Sequence, residues 1–177
     1  MRKAAIALTA AIAVGAAGLA AVGVRAATED VALPANYRTG MVQYQVVDRT
    51  DNGQVRVLYG PRAAAEAARA NRPLPSGTTL VMEIYPAQRN AQNELVRGAD
   101  GRLVRGALAN VFVMEKRTGW GTQYGPEIRN GEWEYAIFTP AGQRAENRNM
   151  QPCMQCHLER RRDADFVFST PALAQAQ

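Results

Sequence analysis

The sequence is poor in the side chains that do most metal and redox chemistry. Its 177 residues hold one histidine, His157, and two cysteines, Cys153 and Cys156. Lysine occurs only at Lys3 and Lys116, against nineteen arginines. A single histidine excludes bis-histidine ligation of a haem within one chain. A tetrahedral structural zinc site needs four ligands, mostly Cys and His, and only three such residues exist here. There is no internal repeat and no coiled-coil pattern. No basic stripe interleaved with aromatics appears, so nucleic acid is not an expected partner.

All three scarce residues fall in one five-residue stretch, Cys153-Met154-Gln155-Cys156-His157. The pattern is C-x-x-C-H, the attachment site of c-type haem. Both thiols add to the haem vinyl groups, and the histidine that follows becomes an axial ligand of the iron. Other readings explain less. A thioredoxin-like C-x-x-C works through a lowered thiol pKa in a βαβ setting, whereas this motif follows the polar stretch Arg144-Ala145-Glu146-Asn147-Arg148-Asn149. A disulfide across two residues would close a small strained loop, and a chance pair of cysteines beside a surface histidine leaves the spacing unexplained. The expected cofactor is therefore one covalent haem c per chain, held by Cys153 and Cys156, with His157 as the proximal iron ligand.

The N-terminus supports that reading. Met1-Arg2-Lys3 is a short positive region, Ala4 to Val24 an apolar run rich in Ala and Gly, and Val24-Arg25-Ala26 has small-residue spacing for cleavage. Residues 1–26 read as a signal peptide, and residues 27–177 as a single domain. The alternative is an uncleaved membrane anchor, since the run approaches spanning length. Export fits the motif, because bacteria attach c-type haem outside the cytoplasm. The periplasm of a Gram-negative bacterium is the expected location. Cleavage would remove Arg2, Lys3 and Arg25 and no acid, so the net charge of +5 falls by three to +2. The basic balance is thus partly a property of the leader.

About 150 residues suit one core. Five runs read as strands: Met41–Val47, Val55–Tyr59, Thr78–Tyr85, Ala109–Glu115 and Trp133–Phe138. Asp51-Asn52-Gly53 between the first two is a hairpin signal. Pro61 to Asn71, alanine-rich with proline in the first turn, reads as a helix. A second helix, from about Pro152 to Arg162, carries the haem motif, with Arg160, Arg161 and Arg162 in water. The expected fold class is α+β, mainly antiparallel β-sheet with a few helices and the haem motif on a C-terminal helix. Small helical cytochromes usually carry the motif early, so this layout differs from theirs.

Most of the mature chain resembles the cytochrome P-460 and cytochrome c′-β family. The likeness runs through Leu33-Pro34-Ala35-Asn36-Tyr37-Arg38, Ser76-Gly77-Thr78-Thr79-Leu80-Val81-Met82-Glu83, Val111-Phe112-Val113-Met114-Glu115-Lys116, Gly131-Glu132-Trp133-Glu134-Tyr135-Ala136 and, after the motif, Asp165-Phe166-Val167-Phe168-Ser169. The resemblance implies a mostly antiparallel β fold, commonly a homodimer, with one haem per chain and His157 proximal. Some members of the family oxidise hydroxylamine with a lysine crosslinked to the haem edge. Others lack the crosslink and bind nitric oxide or similar gases at a hydrophobic distal face.

At the crosslinking position this chain has Met82. The remaining lysine after export, Lys116, lies on a different strand and reads as an exposed strand-end charge. Enzymatic oxidation of hydroxylamine or nitric oxide is thereby disfavoured, though a crosslink through Lys116 stays open. The leading expectation is a periplasmic mono-haem c-type cytochrome that binds nitric oxide or a related nitrogen-oxide ligand with redox change at the iron. A redox partner protein is expected, and contact with membrane only through an uncleaved signal. Electron transfer with a methionine, Met82 or Met114, as sixth ligand is the alternative; a methionine filling a core gap explains either residue as well. Met82 marks the possible distal pocket. Glu83 and Glu115 are either solvent-facing or, one of them, a distal proton acceptor. Tyr85, Trp120, Trp133 and Phe138 are candidates for haem packing or plain core, Arg38 for a haem propionate, and the loop Gly119–Pro126 for the haem edge.

Overall fold

A computed structural model describes residues 31–161 and 164–177. The expected signal segment 1–26 and Arg162 lie outside the described residues, as do the side chains of Arg160 and Arg161. Among the described residues, no helix is long and apolar enough to cross a membrane.

Five strands form one antiparallel meander in chain order: β1 (Val42–Arg49), β2 (Gln54–Gly60), β3 (Thr79–Pro86), β4 (Asn110–Lys116) and β5 (Trp133–Phe138). Each expected strand is present, with ends shifted by two residues or fewer. The β1–β2 turn closes through Gly53, whose φ of +64° lies in the left-handed region. Glycine suits that conformation because it carries no Cβ.

The sheet is covered on one face by the start of the described chain. Val57, Tyr59, Val81, Val111, Val113, Ala136 and Phe138 alternate along β2 to β5 and pack against Val31 and Tyr37. Tyr37 belongs to the short helix α1 (Tyr37–Gly40). Burying each of these aliphatic side chains is worth roughly 1.5–3 kcal/mol. Of the intervening residues of β2 to β4, Leu58, Met82, Phe112 and Met114 are only half-buried. They point to the other face, where the helices lie.

Helix α2 (Arg62–Arg69) is shorter than the expected Pro61–Asn71. Pro61 stands outside as its N-cap, and Asn71 at φ +51° ends the run. Its alanines Ala64, Ala65, Ala67 and Ala68 are all buried. Helices α3 (Gln151–Arg161) and α4 (Thr170–Ala174) complete the fold. Helix α4 packs on α2 and on β1, and buries Leu173 completely. Between β3 and β4 the chain folds back on itself through single bridges such as Arg89 with Leu95 and Arg97 with Leu103, an arm not foreseen from the sequence.

Candidate functional site

The C-x-x-C-H motif lies on α3, close to the expected span. Pro152 sits in its first turn, where a missing N–H costs nothing. Positions 153, 156 and 157 are spaced i, i+3 and i+4, so both thiols and the imidazole share one helical face. An adjoining face is apolar and turned inward: Met154 and Leu158 are buried, while Gln155 and Glu159 are exposed. Asn130, itself fully buried, donates through Nδ2 to the Met154 carbonyl at 2.8 Å and to the Tyr135 hydroxyl at 3.1 Å. This ties the motif helix to β5.

His157 is oriented by the backbone. Its Nδ1 lies 2.6 Å from the Phe166 carbonyl oxygen. A carbonyl only accepts, so Nδ1 carries the proton and Nε2 keeps its lone pair. Such an Nδ1–H to carbonyl bond is the usual support of a metal-ligating histidine. Burial lowers the His157 pKa against the opposing pull of the Phe166 carbonyl, which favours the neutral, ligating form. Two rings clamp the imidazole edge-on, Tyr135 at 5.2 Å and Phe168 at 4.9 Å between centroids. The carbonyl is presented by a tight loop in which Asp165 and Phe166 have φ of +50° and +61°. Residues other than glycine seldom adopt that region. Asp165 is held there by Lys116 Nζ at 2.8 Å and by the Leu74 N–H at 3.0 Å.

Cys153 and Cys156 are not joined in a disulfide. Burial and the neighbouring Cys156 push the Cys153 thiol up. A thioredoxin-type redox pair needs the opposite shift.

Cys153, Cys156 and His157 line a cavity of about 670 Å³. Its sheet wall is Leu58, Leu80, Met82, Phe112 and Met114, and its helix side includes Met150 and Phe168. The register aligns Leu58, Met82 and Phe112 across β2, β3 and β4. An apolar slot of this size suits a cofactor or small-molecule ligand.

The structure sorts the other residues singled out in the sequence. Met82 and Met114 line the cavity. Glu83 and Glu115 are neither in water nor in the cavity: they are buried, at 1% and 4% exposure, on the opposite face of the sheet. Glu83 accepts from the hydroxyls of Tyr37 at 2.6 Å, Tyr59 at 3.1 Å and Tyr85 at 2.8 Å, and from Arg38 Nε at 2.6 Å. Arg38 is therefore engaged away from the cavity. Burial pushes the Glu83 carboxyl up, but the bonds from Tyr37, Tyr85 and Arg38 outweigh it and hold the pKa below the usual range. Tyr59 is in turn pushed up to about 12, by burial first and then by the Glu83 charge.

Tyr85, Trp120, Trp133 and Phe138 pack into the core and do not line the cavity. Neither does the turn-rich segment 119–126, where Gln123 and Tyr124 instead bind the buried Glu134 at 2.7 and 2.9 Å. Lys116 is not an exposed strand end. Its side chain is 11% exposed, paired with Asp165, and lies 5.8 Å from the Trp133 ring centroid. Sequence reasoning missed Tyr44, Phe112 and Phe168 as cavity residues, although Phe112 stands two residues from Met114 and so on the same face of β4, which could have shown the second.

The donor set fits a haem. Two thiols and an Nε2 lone pair stand on one face of a helix beside an apolar cavity, which is the chemistry that c-type attachment needs. No curated protein matches the sequence. The sequence model of cytochrome P460 matches residues 34–169, most of the chain, and the protein belongs to that family of haem-binding cytochromes.

Proposed function

We propose that the protein is an exported mono-haem c-type cytochrome that binds nitric oxide or a closely related small nitrogen oxide, with redox change at the iron. Cys153 and Cys156 are the thioether residues, and His157 is the proximal ligand through Nε2. The observation that carries this reading is the His157 to Phe166 contact on a helix whose thiols border an apolar cavity. When bound, the haem iron supplies a one-electron couple and a coordination position for a diatomic ligand.

The chain's own residues set the conditions. Phe166 and the rings of Tyr135 and Phe168 hold the imidazole in place. Leu58, Met82 and Phe112 offer no hydrogen-bond donor and no charge, so this stretch of the sheet wall favours small, weakly polar ligands. Exclusion of water from such a pocket favours a neutral diatomic over an ion. The protein acts in the periplasm after loss of residues 1–26, with a redox partner protein and as a homodimer.

The hydroxylamine-oxidising alternative loses support from the lysines. Met82 stands where the crosslinking lysine is expected, and Lys116 is occupied by Asp165 outside the cavity. The electron-transfer alternative is favoured by one observation, the thioethers of Met82 and Met114 in the cavity wall. Absorption spectra of the reduced protein separate the readings. A spectrum that changes on adding nitric oxide or carbon monoxide is expected. A low-spin spectrum indifferent to both, with a thioether-to-iron charge-transfer band in the oxidised form, would establish methionine ligation instead.

A further inference from the structure

The cavity has a charged end. Among its lining residues there is no aspartate or glutamate, and two arginines, Arg49 and Arg56. They sit on the β1–β2 hairpin. Arg56 pairs with Val47 on one side and Ile84 on the other. Along β3, Ile84 lies four residues from Leu80, whose neighbours across the sheet are Met114 and then Tyr135. Tyr135 touches His157. At about 3.3 Å per residue, roughly 13 Å of strand separates the histidine end of the cavity from the arginine end.

The two guanidinium groups are unequally compensated. Arg56 is half-buried and, among the described residues, donates only to the neutral Gln54 Oε1, at 3.2 and 3.4 Å. Burial, and then the charge of Arg49, lower its pKa, and the charge of Asp51 only partly offsets them. Arg49 is held by Asp51 at two points, Nε to Oδ1 at 2.8 Å and Nη2 to Oδ2 at 2.6 Å, in a pair that is open to solvent and so screened by salt. A half-buried guanidinium with no carboxylate partner among the described residues, beside an apolar wall, calls for an anion, and arginine is the side chain best matched to a carboxylate.

We infer that Arg56, with Arg49, is a carboxylate-binding site for the haem propionates. The inference rests on the haem reading above. A c-type haem is apolar over most of its body, is tethered at its vinyl edge, and carries its two carboxylates on the opposite edge. The cavity matches that order, with thiols at one end, aliphatic and aromatic side chains between, and guanidinium groups at the other. Arg56 is the principal partner, and Arg49 turns from Asp51 to the second carboxylate. Held this way, the propionates stay ionised and their charge is neutralised within the protein, which raises the reduction potential and makes it insensitive to pH near neutrality.

Potentiometric titration of the purified holoprotein from mildly acidic to mildly alkaline pH, with haem content measured in parallel, tests the site. The variants are Arg56→Leu, Arg49→Leu, the double variant and Arg56→Lys. Expected are normal covalent haem content, a downward shift of the midpoint potential that is largest in the double variant, a new pH dependence from propionate titration, and recovery in Arg56→Lys. Haem-loaded leucine variants with unchanged potential and pH profile would overturn the inference while leaving the haem reading intact. Nitrite affinity lost at unchanged potential would overturn it too, by assigning the arginines to a free oxyanion. Absence of covalent haem from the unmodified protein would overturn both.

Discussion

The Phe166 carbonyl oxygen stands 2.6 Å from Nδ1 of His157 and so fixes which ring nitrogen is free to bind metal. The carbonyl owes its position to the residue before it. Asp165 accepts both Lys116 and the Leu74 amide while its backbone stays in the left-handed region.

The first prediction follows from that chain of contacts. Asp165→Ala removes the partner of a nearly buried ammonium and the local anchor of the loop. Breaking such a pair costs about 3 kcal/mol, measurable as a lower midpoint in urea unfolding of the holoprotein. Asp165→Asn keeps a residue that tolerates positive φ and can still accept the Leu74 N–H, so its loss is expected to be smaller. Both variants should alter the spectrum of the bound haem, because the support of the proximal histidine is loosened.

Glu83 gives a second prediction, concerned with stability alone. Its folded pKa lies below the unfolded one, so the unfolded chain binds more protons near pH 4. The contribution of Glu83 is therefore present above its unfolded pKa of about 4.3 and lost as pH falls through the folded value. Acid unfolding of Glu83→Gln should show a weaker dependence on pH in that window. Glu83→Ala leaves three tyrosine hydroxyls and Arg38 without their acceptor, at a cost of about 3–5 kcal/mol. The haem spectrum should not move, since this cluster lies on the face of the sheet away from the cavity.

Met82 separates packing from ligation. As a wall residue it should accept Met82→Leu at a cost under about 1.5 kcal/mol, with unchanged spectra and unchanged response to nitric oxide. Met82→Ala enlarges the cavity, destabilises by about 2–3 kcal/mol, and should speed association of carbon monoxide in flash photolysis. If Leu at this position changed the ligation state of the iron, the thioether would be a ligand and the gas-binding reading would fail.

Much of the scaffold was legible in the sequence because an antiparallel meander is a local fold. Each strand pairs with the next, and turn signals such as Asp51-Asn52-Gly53 mark the joins. The motif helix was legible for the same reason, since its chemistry lies within five residues. What the sequence hid was long-range. Glu83 sits in an alternating strand and reads as solvent-facing, yet its partners Tyr37 and Arg38 come from 46 and 45 residues earlier and cover that face. Lys116 reads as a strand-end charge, and only a contact 49 residues away, with Asp165, buries it. The cavity arginines could not be picked from nineteen without the register that sets Arg56 in line with Val47 and Ile84.

The central claim is that the stretch Cys153 to His157 carries a haem whose covalent links to the protein are its two thiols, with His157 as the iron ligand. Mass spectrometry of the proteolytic peptide spanning these residues, taken from protein matured in an exporting bacterial host, tests it most directly. The account predicts one peptide carrying the mass of a single haem on Cys153 and Cys156, with the Lys116 peptide unmodified. Free thiols on the mature protein, or a haem also joined to the Lys116 peptide, would contradict it.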